Sequence, residues 1–149
     1  KCVVFPPLIT GPQRSRAFHC RFDDAEQANI TEFDGVLPAL KALGVDLQPV
    51  SCGGEDEFEQ QREQWASGAN FFAFGPGRIL GYAHNERTLD ALNRADFNVA
   101  KAHDLISGQR QLGDQERVVV SIDGAELSRG GGGCRCMTMP LARAAVALD

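Results

Sequence analysis

The sequence has no basic excess. Its 15 Lys and Arg stand against 20 Asp and Glu, a net charge of −5, and the basic residues do not cluster as phosphate binding requires. Nucleic acid and an anionic membrane surface are therefore disfavoured as partners. The chain also lacks any apolar run near the roughly 20 residues of a membrane-spanning helix, and its start lacks the charged, apolar and cleavage regions of a signal peptide. A cytoplasmic protein is expected. A regular cysteine pattern is missing too: Cys2, Cys20, Cys52, Cys134 and Cys136 are odd in number and unevenly spaced, which argues against a disulfide framework and leaves at least one thiol available for chemistry. One Cys-x-Cys pair with three scattered histidines does not match structural zinc spacing, so no metal and no cofactor is expected. Finally, there is no initiator Met or polar lead-in before the apolar "CVVFPPLI", and the start reads as that of a fragment.

What is present is the balance of a soluble globular domain, 43% hydrophobic and 23% charged over 149 residues. Strand-like runs occur at "CVVF" and "AFHCRF". In "FDGVLPALKALG", Phe33, Val36, Leu37, Leu40 and Leu43 fall at helical spacing, with Gly44 as a stop. "VDLQPV" alternates as a short strand does, and "EFEQQREQWASG" has a charged, helix-favouring composition that ends at Gly68. Two apolar runs joined by Gly75-Pro76-Gly77 predict a hairpin. "NERTLDALNRAD" then offers Asn85 as an N-cap with Leu89 and Leu92 on one face, and "FNVAKA" alternates again. A polar excursion, "HDLISGQRQLGDQE", precedes the strand "RVVVSI".

The chain echoes itself. "LPALKALGVDLQPV" and "LDALNRADFNVAKA" superpose at a constant offset of 52 residues, pairing Leu37 with Leu89, Leu40 with Leu92 and Val45 with Phe97. Each reads as a helix feeding a strand. Such units close a core only when at least about three stack, so an array with missing units would also explain the abrupt start.

The segment "SRGGGGCRCMTMPL" carries the candidate chemistry. A free thiol is only about a few per cent ionised at neutral pH, and glycines let several main-chain N–H groups converge on one anion. Read as a strand, the segment puts Cys134 and Cys136 on one side and Arg135 on the other. The alternative is a buried core cysteine behind a flexible loop. His19 reads as a half-buried strand residue, His84 as a loop residue beside a helix start, and Glu55, Asp56, Glu57 and Glu59 as a solvated helix start. Trp65 reads as a packing anchor.

"CMTMPL" behind a glycine loop and "AELSRG", together with "QREQWASGAN" and "GYAHN", resembles arginine deiminases of the guanidine-modifying superfamily from about Cys52 onward. The resemblance implies an α/β fold, a pentein-like five-unit β/α propeller. Residues 1–149 would form about two strand-and-helix units of it, approximately 1–69 and 70–149, as an incomplete C-terminal portion. It implies hydrolysis of L-arginine to citrulline and ammonia through a covalent cysteine intermediate, with Cys136 as the nucleophile and the Gly131 carbonyl helping to hold the substrate. The family's His-x-Asp acid–base motif is absent: Cys20-Arg21 follow His19, Asn85-Glu86 follow His84, and Asp104 directly follows His103. "GYAHN" stands where the family commonly has "GYDRN". The expected partners are then a guanidino substrate and the missing N-terminal part of the same protein, with room for a homo-oligomer, and the isolated chain is expected to be inactive. Two alternatives stay open: another guanidine-modifying enzyme, of agmatine deiminase or amidinotransferase type, and a non-catalytic binding or assembly domain.

Overall fold

The computed structural model describes residues 1–22 and 28–142. The last seven residues of the expected second unit, 143–149, lie outside them. In chain order the elements are β1 (Cys2–Val4), α1 (Pro6–Ile9), β2 (Ala17–Phe22), β3 (Ala28–Phe33), α2 (Val36–Ala42), β4 (Pro49–Ser51), α3 (Glu57–Trp65), β5 (Phe72–Gly75), β6 (Arg78–Tyr82), α4 (Glu86–Arg94), β7 (Asn98–Lys101), α5 (Ala102–Ile106), β8 (Val118–Ile122) and α6 (Ala125–Arg129). This is a mixed α/β arrangement. Among the described residues no sheet closes into a barrel: β1 pairs in parallel with β4, β2 and β3 form an antiparallel pair, and β5-β6-β8-β7 make the largest sheet.

In that sheet β5 and β6 are the expected hairpin, turning through Pro76 and Gly77, whose φ of +67° suits a glycine. Both β6 and β7 run parallel to β8. Strand β8 explains the unbroken apolar run "VVV", because a parallel central strand is covered on both faces. Val119 joins Val50, Leu89, Leu92 and Phe97 in the main core. Val118 and Val120 point the other way, to Ala100, Leu80, Leu105 and Leu112.

The polar excursion contains a helix that its composition did not announce. Leu105 from α5 and Leu112 cover the second face of the sheet, and the exposed remainder is tied down by Arg110 donating to Glu116 Oε1 at 2.6 Å and to the Val99 carbonyl at 2.7 Å. Phe33 belongs to β3 and not to the following helix, since Gly35, with φ +126°, breaks the chain between them. Strand β3 was not anticipated: it is nearly all exposed, so no buried face imposed a period on its sequence.

The internal echo holds through the helix and the turn after it but not into the strands: at an offset of 52 residues β7 falls on positions 46–49, whereas β4 is Pro49–Ser51. Val45 N–H donates to the Leu40 carbonyl at 2.9 Å, and Phe97 N–H to the Leu92 carbonyl at 3.0 Å, again 52 residues on. Gly44 and Asp96, the corresponding positions between helix and strand, both take left-handed φ, +86° and +67°. This is the turn that closes a helix by returning N–H groups to its last carbonyls. Glycine accepts that conformation without strain, and aspartate tolerates it better than most side chains.

Candidate functional site

Because β5 is antiparallel to β6, the start of β5 lies beside the end of β6, and β8 ends there as well. The segment after α6 returns to this same end of the sheet, where parallel α/β sheets commonly place their sites. Tyr82, the last residue of β6 and 2% exposed, donates its hydroxyl to the Gly132 carbonyl at 3.1 Å and stacks on His84 with ring centroids 5.3 Å apart. Asn70, just ahead of β5, reaches the loop from the other side. Its Nδ2 donates to Cys136 Sγ at 2.9 Å, and its Oδ1 accepts the Arg135 N–H at 3.0 Å.

The glycine run serves two separate needs. Gly131 adopts φ +81°, and Gly133 lies against the Asn70 side chain so closely that a Cβ there would come within 2.3 Å of Cγ. Any side chain at 133 would push Asn70 off the loop.

The segment turns instead of running as a strand, and that corrects the expected placement of the cysteines. Cys134 is buried, 1% exposed, whereas Cys136 is exposed. They do not share a side. Their chemistry diverges accordingly: burial pushes the Cys134 thiol up, while Cys136 is held below the ordinary thiol range. The Gly133 main-chain N–H is the first cause at Cys136, the Asn70 amide the second, and the Arg135 charge helps less. Hydrogen bonds to a sulfur anion favour it directly, whereas an exposed guanidinium is screened by water. A cleft of ≈ 450 Å³ lined by Gln64, Ser67, Asn70, Phe71 and Arg135 adjoins this side of the loop.

Among the described residues none of the other candidates has a hydrogen bond to the Cys136 sulfur. Gly131 is exposed, with open space around its Cα. His84 Nε2 lies 3.2 Å from the Ala66 carbonyl, and Asn85 Nδ2 donates to the same oxygen at 3.0 Å. Asn85 therefore does not cap α4 with its side chain. That task falls to Glu63 of α3, wholly buried, whose carboxylate accepts the Arg87 N–H at 2.9 Å, the Thr88 N–H at 2.8 Å and the Thr88 hydroxyl at 2.6 Å. His19 is half-buried in β2. Asp56 caps α3 by accepting the Glu59 N–H, with Glu57 and Glu59 in the first turn, so the acidic run is a helix start. Trp65 is no packing anchor: it is 84% exposed, because α3 buries the polar Gln60 and Glu63 and turns Phe58 and Trp65 outward. Among the described residues no cluster of three or more His, Cys, Asp and Glu could hold a metal ion.

The model of the arginine deiminase family matches residues 9–143, nearly the whole chain. The chain belongs to the arginine deiminase family. It is 41% identical over 98 residues to the arginine deiminase of Listeria welshimeri, covering 66% of this chain and 19% of that relative. With the arginine deiminase of Mycoplasma capricolum it shares 38% identity over 102 residues, covering 68% of this chain and 20% of the relative. The arginine deiminase of Lactococcus lactis aligns over 143 residues at 31% identity, covering 94% of this chain and 30% of the relative. The chain thus spans about a fifth to a third of the length of these arginine deiminases.

Two organising residues are not marked as such by the sequence: Asn70 at the cysteine loop and Glu63 beneath α4. Asn70 closes the motif "QREQWASGAN", and its position between the helix stop Gly68 and the apolar start of β5 was the available signal. Glu63, in the same motif, gave none, because a glutamate inside a charged helix looks like a solvated one.

Proposed function

We propose that this chain carries the sulfur nucleophile of an arginine deiminase, with Cys136 attacking the guanidinium carbon of L-arginine. The observation that carries the reading is an exposed sulfur that accepts the Asn70 amide at 2.9 Å and is held below the ordinary thiol range, in a chain of this family. The thiolate adds to the guanidinium carbon. The bond from that carbon to one terminal nitrogen then breaks, and ammonia leaves with a proton from a general acid. Water adds to the resulting amidino carbon and gives up a proton, and the carbon–sulfur bond breaks to free the thiolate and leave the ureido group of citrulline. A bound guanidinium further favours the thiolate by Coulomb attraction, so the substrate helps to ionise its own nucleophile.

The Gly131 carbonyl is available to accept a hydrogen bond from that substrate. Among the described residues no imidazole is bonded to Cys136, and we assign the acid–base histidine and the carboxylates that grip the guanidinium to the part of the relatives' length that this chain does not span. In this reading the whole fold is a five-unit propeller. Residues 1–69 and 70–149 supply about two of its units, and the repeated helix-and-turn geometry supports that division.

Citrulline release from arginine tests the proposal. It is expected from a polypeptide of the relatives' full length containing this chain, and not from the 149-residue chain alone. Cys136→Ala should abolish it and Cys134→Ala should retain most of it; loss with Cys134→Ala alone would mean that the wrong sulfur had been chosen. Agmatine turned over in preference to arginine would move the assignment to another guanidine-modifying enzyme.

A further inference from the structure

We propose that Asn70 is the positioning residue of the reactive thiol: its single amide donates to Cys136 Sγ and accepts from Arg135 N–H, fixing both the sulfur and the backbone that carries it. The inference rests on the reading of Cys136 as a nucleophile and adds a residue to it.

The amide orientation is dictated by its two partners. Turned over, it would set its carbonyl against an electron-rich sulfur and its NH2 against another N–H, which is unfavourable at both ends. Asn70 is itself anchored, because its main-chain N–H donates to the Ser67 carbonyl at 3.0 Å, and Ser67 holds left-handed φ of +61°. Gly133 completes the clasp by leaving room for the side chain. A donor at 2.9 Å from sulfur stabilises the anion over the thiol, and the second bond keeps that donor from following the sulfur when it moves. As the sulfur bonds to carbon its charge disappears and the Asn70 contact weakens. The residue therefore sets the sulfur's starting position and its ionisation without taking part in bond making.

The test is the pH dependence of Cys136 alkylation by iodoacetamide in the 149-residue chain, followed by peptide-resolved mass spectrometry with free N-acetylcysteine as the reference thiol. Cys136 should reach half-maximal rate at a lower pH than the free thiol. Asn70→Ala should move that midpoint up and slow alkylation at neutral pH by about threefold or more, the smaller thiolate fraction being partly offset by its greater nucleophilicity. Asn70→Asp decides between positioning and mere loop support. It keeps the acceptor for Arg135 N–H but replaces the donor with a like charge, so its midpoint should rise above that of Asn70→Ala, whereas a residue that only held the loop would leave it at the wild-type value. If a variant fails to fold, the unmutated chain still answers: the Asn70 side-chain 15N resonance should titrate with the Cys136 midpoint and lose that step in Cys136→Ser. A wild-type Cys136 midpoint no lower than that of free N-acetylcysteine overturns the nucleophile reading itself. A low wild-type midpoint unmoved by Asn70→Ala and Asn70→Asp, or an Asn70 resonance blind to it, overturns this proposal alone.

Discussion

Replacing Glu63 should cost this chain a large part of its stability, although the residue lies in a helix rich in other acidic groups. Its carboxylate is wholly buried and accepts the main-chain N–H groups of Arg87 and Thr88 and the Thr88 hydroxyl. The two amides belong to the first turn of α4, where no carbonyl of the helix itself can reach them. Glu63→Ala leaves them without an acceptor in a site closed by Gly68, whose added Cβ would already meet the Glu63 carbonyl at 2.7 Å and Cys52 Sγ at 2.9 Å. Each buried donor left unpaired costs about 1–3 kcal/mol, and removing one side of a buried charged interaction costs about 3–5 kcal/mol. The Thr88 hydroxyl keeps a contact, since Cys52 Sγ lies 3.6 Å away, and the partly exposed Arg62 contributes little. A net loss of about 3–4 kcal/mol is expected, against a total of about 5–15 kcal/mol for an ordinary domain. Glu63→Gln, which keeps one carbonyl but turns an NH2 towards donors, should lose about 2–3 kcal/mol. With a urea dependence of about 2 kcal/mol per molar, the Ala variant's unfolding midpoint should fall by about 1.5–2 M, and circular dichroism would follow it. A loss below about 1 kcal/mol for both variants would refute the idea that α4 is capped from α3.

Two further outcomes follow from the geometry. Gly133→Ala should destabilise the chain by about 1–3 kcal/mol and abolish the preferential alkylation of Cys136, because the new Cβ displaces Asn70; Gly132→Ala, whose nearest neighbour is 3.9 Å away, should do neither. The Glu116 carboxyl is held below the ordinary range first by the Gly113 N–H, then by Asn98 and Arg110. A depressed folded pKa stabilises above the ordinary carboxylate value and is lost as pH falls through the folded one. The gap in urea midpoint between wild type and Glu116→Gln should therefore be widest at neutral pH and close in acid; a gap constant with pH would contradict the cause given.

Elements that bury one regular face were legible from the residues. Leu89 and Leu92 declared α4, "RVVVSI" declared a strand, and Gly75-Pro76-Gly77 declared the hairpin. The echo between Leu40 and Leu92 reached as far as matching turns. What stayed hidden depends on contacts between distant residues. Asn70 and Cys136 are 66 positions apart, and Glu63 and Thr88 are 25 apart. No local period marks either pair. Helix α3 misled for a related reason: a lone tryptophan in a charged helix suggests an apolar face, but the buried face here is polar because it caps another helix. The two cysteines of "CRC" were separated by a turn whose course is set by Tyr82 and Asn70, neither of which is near them in sequence.

The central claim is that the Cys136 sulfur is an accessible anion that bonds to the carbon of a positively charged planar group. An alkylating agent bearing an amidinium, offered at neutral pH in less than stoichiometric amount beside its neutral amide counterpart, tests it most directly when the labelled cysteine is located by mass spectrometry. The account predicts label on Cys136 ahead of the exposed Cys20, with the charged reagent preferred there. Equal labelling of the two cysteines, or no preference for the charged reagent at Cys136, would contradict it.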